Sequence, residues 1–214
     1  MANKRKRVTV RCVGIEPILF NAIPEGLLMD LLKGKSRPKV KGDDVDLDKI
    51  CEDKLYVDDD GTPCIPRLNM FAALKYAGKF VKAGKKNITG GDSTQLPSIL
   101  TVEGTLFRLD NGTANGKPEW KMDLRAGRHR QGTSKVMVAL VRPRFDRWGF
   151  TATVSCADDD ATIKTVKQLF WEAGDKAGLG DYRPSSGGFY GRFRPVGFTV
   201  EDMVEETEFA AAVA

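Results

Sequence analysis

The chain is poor in the residues that most catalytic and metal chemistry requires. It has one histidine, His129, and four cysteines, Cys12, Cys51, Cys64 and Cys156, with no C-x-x-C pair among its 214 residues. Structural zinc needs clustered Cys and His ligands, so the sequence predicts no metal and no cofactor, and scattered thiols predict reduced, partly buried cysteines. No G-x-S-x-G marks a nucleophile elbow. No apolar run approaches the ~18 residues of a membrane span, and no apolar h-region follows the basic start Met1-Ala2-Asn3-Lys4-Arg5-Lys6-Arg7. The expectation is a soluble, cytoplasmic protein without a membrane partner. With 41% apolar residues the chain has enough for a core, and its length fits one large domain or two small ones.

Charge is what the chain has, and it is sorted. The formal net charge is +5, but all 34 bases and only 24 of the 29 acids fall in residues 1–200, which therefore carry +10. Bases concentrate in residues 4–11, in residues 67–86 (six bases and no acid), in residues 121–147 and in residues 183–194. In the third tract Lys121, Arg125, Arg128, Arg130, Lys135, Arg142, Arg144 and Arg147 meet only Asp123 and Asp146. Such segregation is the footprint of a polyanion-binding face, although a solvated charged surface gives the same pattern.

Along the chain, residues 8–15 alternate as a strand that Pro17 ends. Residues 21–60 read as an exposed insertion in which only residues 25–32 suit a short helix. Pro66 then opens a helix predicted to run to about Lys82, with Met70, Leu74, Ala77 and Val81 on one face and its bases mainly on the exposed side. Residues 99–109 read as a strand, with residues 119–124 as the return arm of a long hairpin. Residues 125–132 read as a basic loop, and residues 136–141 as a strand buried on both faces. Residues 150–156 alternate cleanly. The acids at 158–160 predict an N-cap for a helix whose buried stripe is Ile163, Val166, Phe170, Ala173 and Ala177. A glycine-rich loop over residues 178–192 precedes a last strand from about Phe193 to Val200, and residues 201–214 form an acidic tail.

Without the insertions the order is strand, helix, strand, strand, helix, strand. This predicts an α+β, ferredoxin-like antiparallel sheet with two helices on one face and the other face free for a ligand. Residues 1–200 would form one domain carrying the 21–60 insertion and the 99–124 hairpin. The glycine loop is not a nucleotide fingerprint, because it follows a helix and opens a strand and lacks Gly-Lys-Ser/Thr. Its glycines, Gly178, Gly180, Gly187, Gly188 and Gly191, permit close backbone approach. Arg183, Arg192 and Arg194 offer charge-assisted contacts to phosphates, and Tyr182, Phe189 and Tyr190 offer faces for bases. A simple turn with core-packed aromatics is the competing reading.

This loop, placed between the second core helix and the last strand, resembles that of the RAMP superfamily, RNA-binding proteins that include the backbone subunits of CRISPR effector complexes. The start Ile65-Pro66-Arg67-Leu68-Asn69-Met70-Phe71-Ala72-Ala73-Leu74-Lys75 is similar to that family's isoleucine-proline-led first core helix, with Arg67-Leu68-Asn69 in place of its small-residue turn. The resemblance implies single-stranded RNA held mainly by its backbone, copies lying side by side along it, and a projecting hairpin. It also implies partners among effector-complex subunits. The RNA contacts so implied, joined with the basic tracts, are Arg67, Lys75, Lys79, Arg125, Arg128, Arg130, Gly180, Tyr182, Arg183, Gly187, Gly188, Tyr190, Gly191 and Arg192. Some members cut RNA with an aspartate before the proline-led helix or with a histidine. Glu52 and Asp53 lie at a comparable distance upstream, and His129 could act as a general base, but a phosphate contact is the commoner role for a histidine among arginines. The leading expectation is therefore a non-catalytic RNA-binding protein. The alternatives are a metal-independent endoribonuclease, or a phage-encoded structural or single-stranded-DNA-binding protein on the same fold.

Overall fold

The sheet grows from alternation in its first strand. The computed structural model describes residues 4–35, 46–131 and 134–203, with residues 25, 128–131 and 134–136 described through their backbone only. In it β1 (Arg5–Gly14) buries Val8, Val10 and Cys12 on one face. The chain continues through β2 (Ile18–Leu19), α1 (Glu25–Leu32), α2 (Leu47–Glu52) and β3 (Cys64–Pro66) to α3 (Arg67–Ala77). Two small hairpins follow, β4 (Lys82–Ala83) with β5 (Lys86–Asn87) and β6 (Thr89–Gly90) with β7 (Ser93–Thr94), and then the single turn α4 (Leu96–Ile99). After β8 (Leu100–Glu103) and β9 (Leu106–Asp110) come β10 (Lys121–Gln131), β11 (Ser134–Phe145) and β12 (Gly149–Ala157). The last elements are α5 (Asp160–Glu172), a π-turn over Ala173–Ala177 and β13 (Phe193–Asp202).

The main sheet runs β13-β1-β12-β9-β3, with β8 also paired to β12, and every pairing is antiparallel. Taken as β1, α3, β8, β12, α5 and β13, the core places its last strand beside its first, then the third, then the second. That is the ferredoxin-like order. The helices α3 and α5 pack on each other, and α5 also packs on β12 and β13. Phe150, Ala152, Val154 and Cys156 of β12 face Val166, Leu169 and Phe170 of α5 in one buried cluster. Removing each such large side chain from water contributes about 1.5–3 kcal/mol. The expected N-cap is present: Asp159 accepts from the Thr162 amide at 2.7 Å, and that bond holds its carboxyl below the usual range. All four cysteines are buried, and burial pushes the Cys64 thiol up to about 11.

Several elements differ from the sequence expectation. The helix after Pro66 stops at Ala77, where the chain turns so that the Thr89 amide bonds the Gly78 carbonyl at 2.9 Å; Val81 is buried from that turn. Residues 99–124 are not the long hairpin. Their two strands, broken at Gly104, bury Val102, Phe107 and Leu109 in the core beside β12. The projecting hairpin is β10 with β11, in register from Lys121 opposite Arg144 to Gln131 opposite Ser134. The basic stretch read as a loop is thus strand as far as Gln131, and Gly132 lies outside the described residues. Nor is the apolar run at 136–141 buried on both faces, since Met137 is 69% exposed. It runs outward from the core, whereas Val141 and Phe145 at the hairpin base are buried. The last strand extends through Glu201 and Asp202, opposite Arg7 and Lys6, so the acidic tail begins later than expected; residues 204–214 lie outside the described residues. The insertion holds the expected helix at Glu25–Leu32 and a second, α2, whose N-cap Asp46 accepts from the Lys49 amide and whose Cys51 is buried. Lys54, just beyond, donates to the Val141 carbonyl at 2.6 Å and ties the insertion to the hairpin base.

Candidate nucleic-acid interface

The glycine loop is a rigid shelf. Its start and end are joined by the Leu179 amide bonding the Gly191 carbonyl at 2.9 Å. The Gly191 amide bonds Pro17 at 2.7 Å and the Asp181 amide bonds Leu19 at 2.8 Å, so the segment around β2 forms its floor. Gly191 has φ +71° and its α-carbon faces the Leu179 carbonyl so closely that a β-carbon would overlap that oxygen. Tyr182 itself adopts φ +51°, a left-handed backbone unusual for a bulky residue, and its carbonyl accepts from the Tyr190 amide at 3.2 Å. Strain of this kind concentrates at functional sites.

The shelf sorts its side chains. Tyr182 and Phe189 are 47% and 53% exposed, whereas Tyr190 is buried, with its ring stacked on Phe189 at 4.3 Å. Arg183 turns back into the loop, donating to the Gly180 carbonyl at 2.8 Å and to Ser185 at 2.9 Å, so it braces the shelf. Arg192 is half-buried, and its Nε has no hydrogen-bond acceptor among the described residues. A donor buried without an acceptor is costly.

The base of the hairpin stands against this shelf. Arg125 donates two hydrogen bonds to Asp123 and a third to the Tyr190 hydroxyl at 2.7 Å, and its guanidinium lies 4.7 Å from that ring's centre. Those bonds, the one to Asp123 foremost, raise its affinity for its proton still further. Arg142 pairs with Asp181 of the glycine loop, Arg144 pairs with Asp146 at 2.6 Å and faces Asp123 at 3.8 Å, and Lys121 also pairs with Asp146. Lys121 first and then Arg144 hold the Asp146 carboxyl below the usual range. Four cations thus alternate with three carboxylates, so Arg125 acts as a brace with most of its charge compensated. Arg128, His129 and Arg130 stand on β10 opposite Met137, Val136 and Lys135; their side chains lie outside the described residues.

The other basic tracts are also distributed by the fold. On the open face of the sheet Arg7 pairs with Glu103 at 2.8 Å, Arg11 pairs with Asp110 at 2.5 Å, and Arg5 donates to Ser155. Thr9 meets Thr153 there, and no aromatic residue on the central strands β1 and β12 offers this face a stacking platform of the kind single-strand readers use. Arg67 is exposed at the start of α3, Lys79 lies 4.9 Å over Tyr76, and neither they nor Lys75 has an acidic partner among the described residues. Arg67 and Lys75 lie on α3, and Lys79 follows its end. Glu52 and Asp53 are exposed at the end of α2. No group of three or more His, Cys, Asp or Glu side chains among the described residues converges as a metal site.

The carboxylates Asp123, Asp146 and Asp181, which orient the hairpin, were not singled out from the sequence as site residues. A signal was there: Lys121-x-Asp123-x-Arg125 and Arg142-x-Arg144-x-Asp146 each alternate with the period of one strand face.

Neither a family model nor a curated protein matches the chain. Among solved structures, a chain in the cryo-EM structure of the Type III-B Cmr-beta bound to cognate target RNA aligns over 93% of this chain with TM-score 0.53 and 13% identity. The likeness is one of fold, the ferredoxin-like sheet and helices described above. The chain spans 61% of that neighbour's length. The crystal structure of Cmr6 from Pyrococcus furiosus aligns over 89% of this chain and 98% of its own, with TM-score 0.48 and 12% identity. Within this frame the glycine loop, β2 and the hairpin base converge, and no helix among the described residues is long and apolar enough to cross a membrane.

Proposed function

We propose that this RAMP-like protein holds single-stranded RNA by its backbone at the corner between the glycine loop and the hairpin, without cutting it, as a subunit of a larger RNA-bound assembly. The observation that carries the reading is the shelf itself, with the Tyr182 and Phe189 rings exposed on a loop that also carries the half-buried Arg192. Aromatic faces stack on any base, and a guanidinium suits a phosphate. The likeness to a chain of a complex solved with target RNA supports RNA over single-stranded DNA. Copies side by side on one strand suit the exposed apolar residues Leu28, Met29, Leu31 and Leu32 of α1, together with Leu124 and Met137 of the hairpin. Exposed apolar side chains grouped on one element suit a protein contact, here assigned to a second copy.

The test is fluorescence anisotropy with labelled single-stranded RNA, single-stranded DNA and duplex over a salt series. Single-stranded RNA is expected to bind best, with log K falling linearly against log salt at about −0.7 per phosphate neutralised. Replacing Tyr182 and Phe189 by Ala is expected to weaken binding by about 1–3 kcal/mol per lost stacking face. The recovered RNA should be intact, and particle size should grow with RNA length. Equal affinity for duplex, or no loss in the double variant, overturns the reading.

A further inference from the structure

A second cationic site lies across the hairpin base from the glycine shelf. It is a cleft of about 260 Å³ between the turn that follows β9 and the bend that joins β11 to β12. That is smaller than the ~300–1,000 Å³ of ordinary small-molecule sites. The first wall is held rigidly. The Asn111 amide bonds the Gly116 carbonyl at 3.1 Å, and the Asn111 side-chain oxygen accepts from the Thr113 amide and hydroxyl. The second wall is pinned where the buried Trp148 indole donates to the Glu16 carbonyl at 2.8 Å. Trp120, half-buried against the core, supplies an apolar side.

Four cations line this cleft against two acids. Lys121 and Arg144 share Asp146, and Arg144 also faces Asp123 at 3.8 Å. Lys117 and Arg147 are exposed and have no acidic partner among the described residues, and neither packs in the core. Glu119 is the cleft's other acid and makes no ion pair among the described residues, so the two unpaired cations on fixed walls keep the lining net positive, which with the Trp120 ring beside them suits one phosphodiester with its base. We infer that this cleft binds one nucleotide of the same single strand, with its phosphate on Lys117 and Arg147 and its base against Trp120. Lys121 at the cleft and Arg125 at the shelf are four residues apart on β10, about 13 Å. The cleft therefore extends the strand's track past the hairpin base. This inference rests on the RNA-binding reading above.

The experiment compares wild type with the Lys117→Ala, Arg147→Ala double variant by anisotropy on single-stranded RNA over a salt series, and adds a competition arm with a nucleoside monophosphate. The double variant is expected to melt like wild type, to bind about ten-fold more weakly, and to show a salt slope shallower by about 0.7, which corresponds to the one phosphate that the two cations neutralise together. Wild-type binding with an unchanged slope in the variant overturns the cleft and leaves the RNA reading standing. Failure of wild type to bind any single strand overturns the RNA reading itself. Tight monophosphate binding that the double variant abolishes overturns the strand assignment, because the occupant is then a free nucleotide.

Discussion

At the scale of single residues, the glycine loop separates two reasons for having no side chain. Gly187 has φ +81° with open space where a β-carbon would go, whereas Gly191 combines φ +71° with overlap on the Leu179 carbonyl. Gly187→Ala is therefore expected to cost about 1–2 kcal/mol, the ordinary cost of a left-handed backbone. Gly191→Ala adds an overpacking cost of about 1–3 kcal/mol and displaces the shelf. Denaturant titration of both variants checks this, and equal losses would show that the Leu179 contact is not limiting. The five glycines and three aromatics of the loop were legible from composition and position. That Tyr190 is buried while Tyr182 and Phe189 face out was not, because both patterns satisfy the same spacing and only the Arg125 contact decides between them. Arg183 shows the same limit, since its spacing suits a phosphate contact but its acceptors are the loop's own Gly180 and Ser185.

At the scale of elements, the hairpin is oriented by its ladder of charges. Asp123 is only 10% exposed, accepts two bonds from Arg125 and faces Arg144, so its removal leaves two guanidiniums short of a carboxylate. Asp123→Asn is expected to destabilise the fold by about 2 kcal/mol, below the 3–5 of a fully buried pair because Arg125 is 30% exposed. The same variant adds net positive charge at the site and is expected to bind RNA no more weakly than wild type. Thermal melts and anisotropy on one preparation test both halves, and a lost affinity with unchanged stability would make Asp123 a ligand contact. The strand at β12 and the helix α5 were readable because alternation and 3.6-residue spacing each meet one buried face. The hairpin was misplaced because residues 99–109 and 119–124 both read as extended while residues 125–132 read as a loop, and local pattern does not state which strand a segment will pair with.

For the whole molecule, several carboxylates are tied to the fold's ends. Asp202 is held below the usual range by the Lys6 ammonium at 2.5 Å, Asp159 by the Thr162 amide, and Asp146 by Lys121 and Arg144. Their folded values lie below their unfolded ones, near 3.9. The stability they contribute is therefore fully present above that range and is lost as pH falls through the depressed values. Melting temperature is expected to hold roughly constant from pH 7 to about 5 and to fall steeply below about 4, which melts followed by circular dichroism will show. A maximum at about pH 3 would contradict the assignment. Because each pair is solvent-accessible, added salt should lessen the pH effect.

The amino-acid order by itself determined the ferredoxin-like core, because strand alternation, the acid-capped helix and the glycine loop are local patterns whose buried faces must meet. The basic body was also fixed at that level, since it is a matter of composition. Only the tertiary structure decided which bases remain uncompensated. Arg7, Arg11 and Arg142 find carboxylates distant in sequence, Arg125 and Arg144 find them two residues away, with Asp123 also facing Arg144 across the hairpin, while Lys117 and Arg147 find none among the described residues. Whether a charge is free for a ligand depends on the neighbours that folding brings to it, and those neighbours are set by strand pairing over long sequence distances.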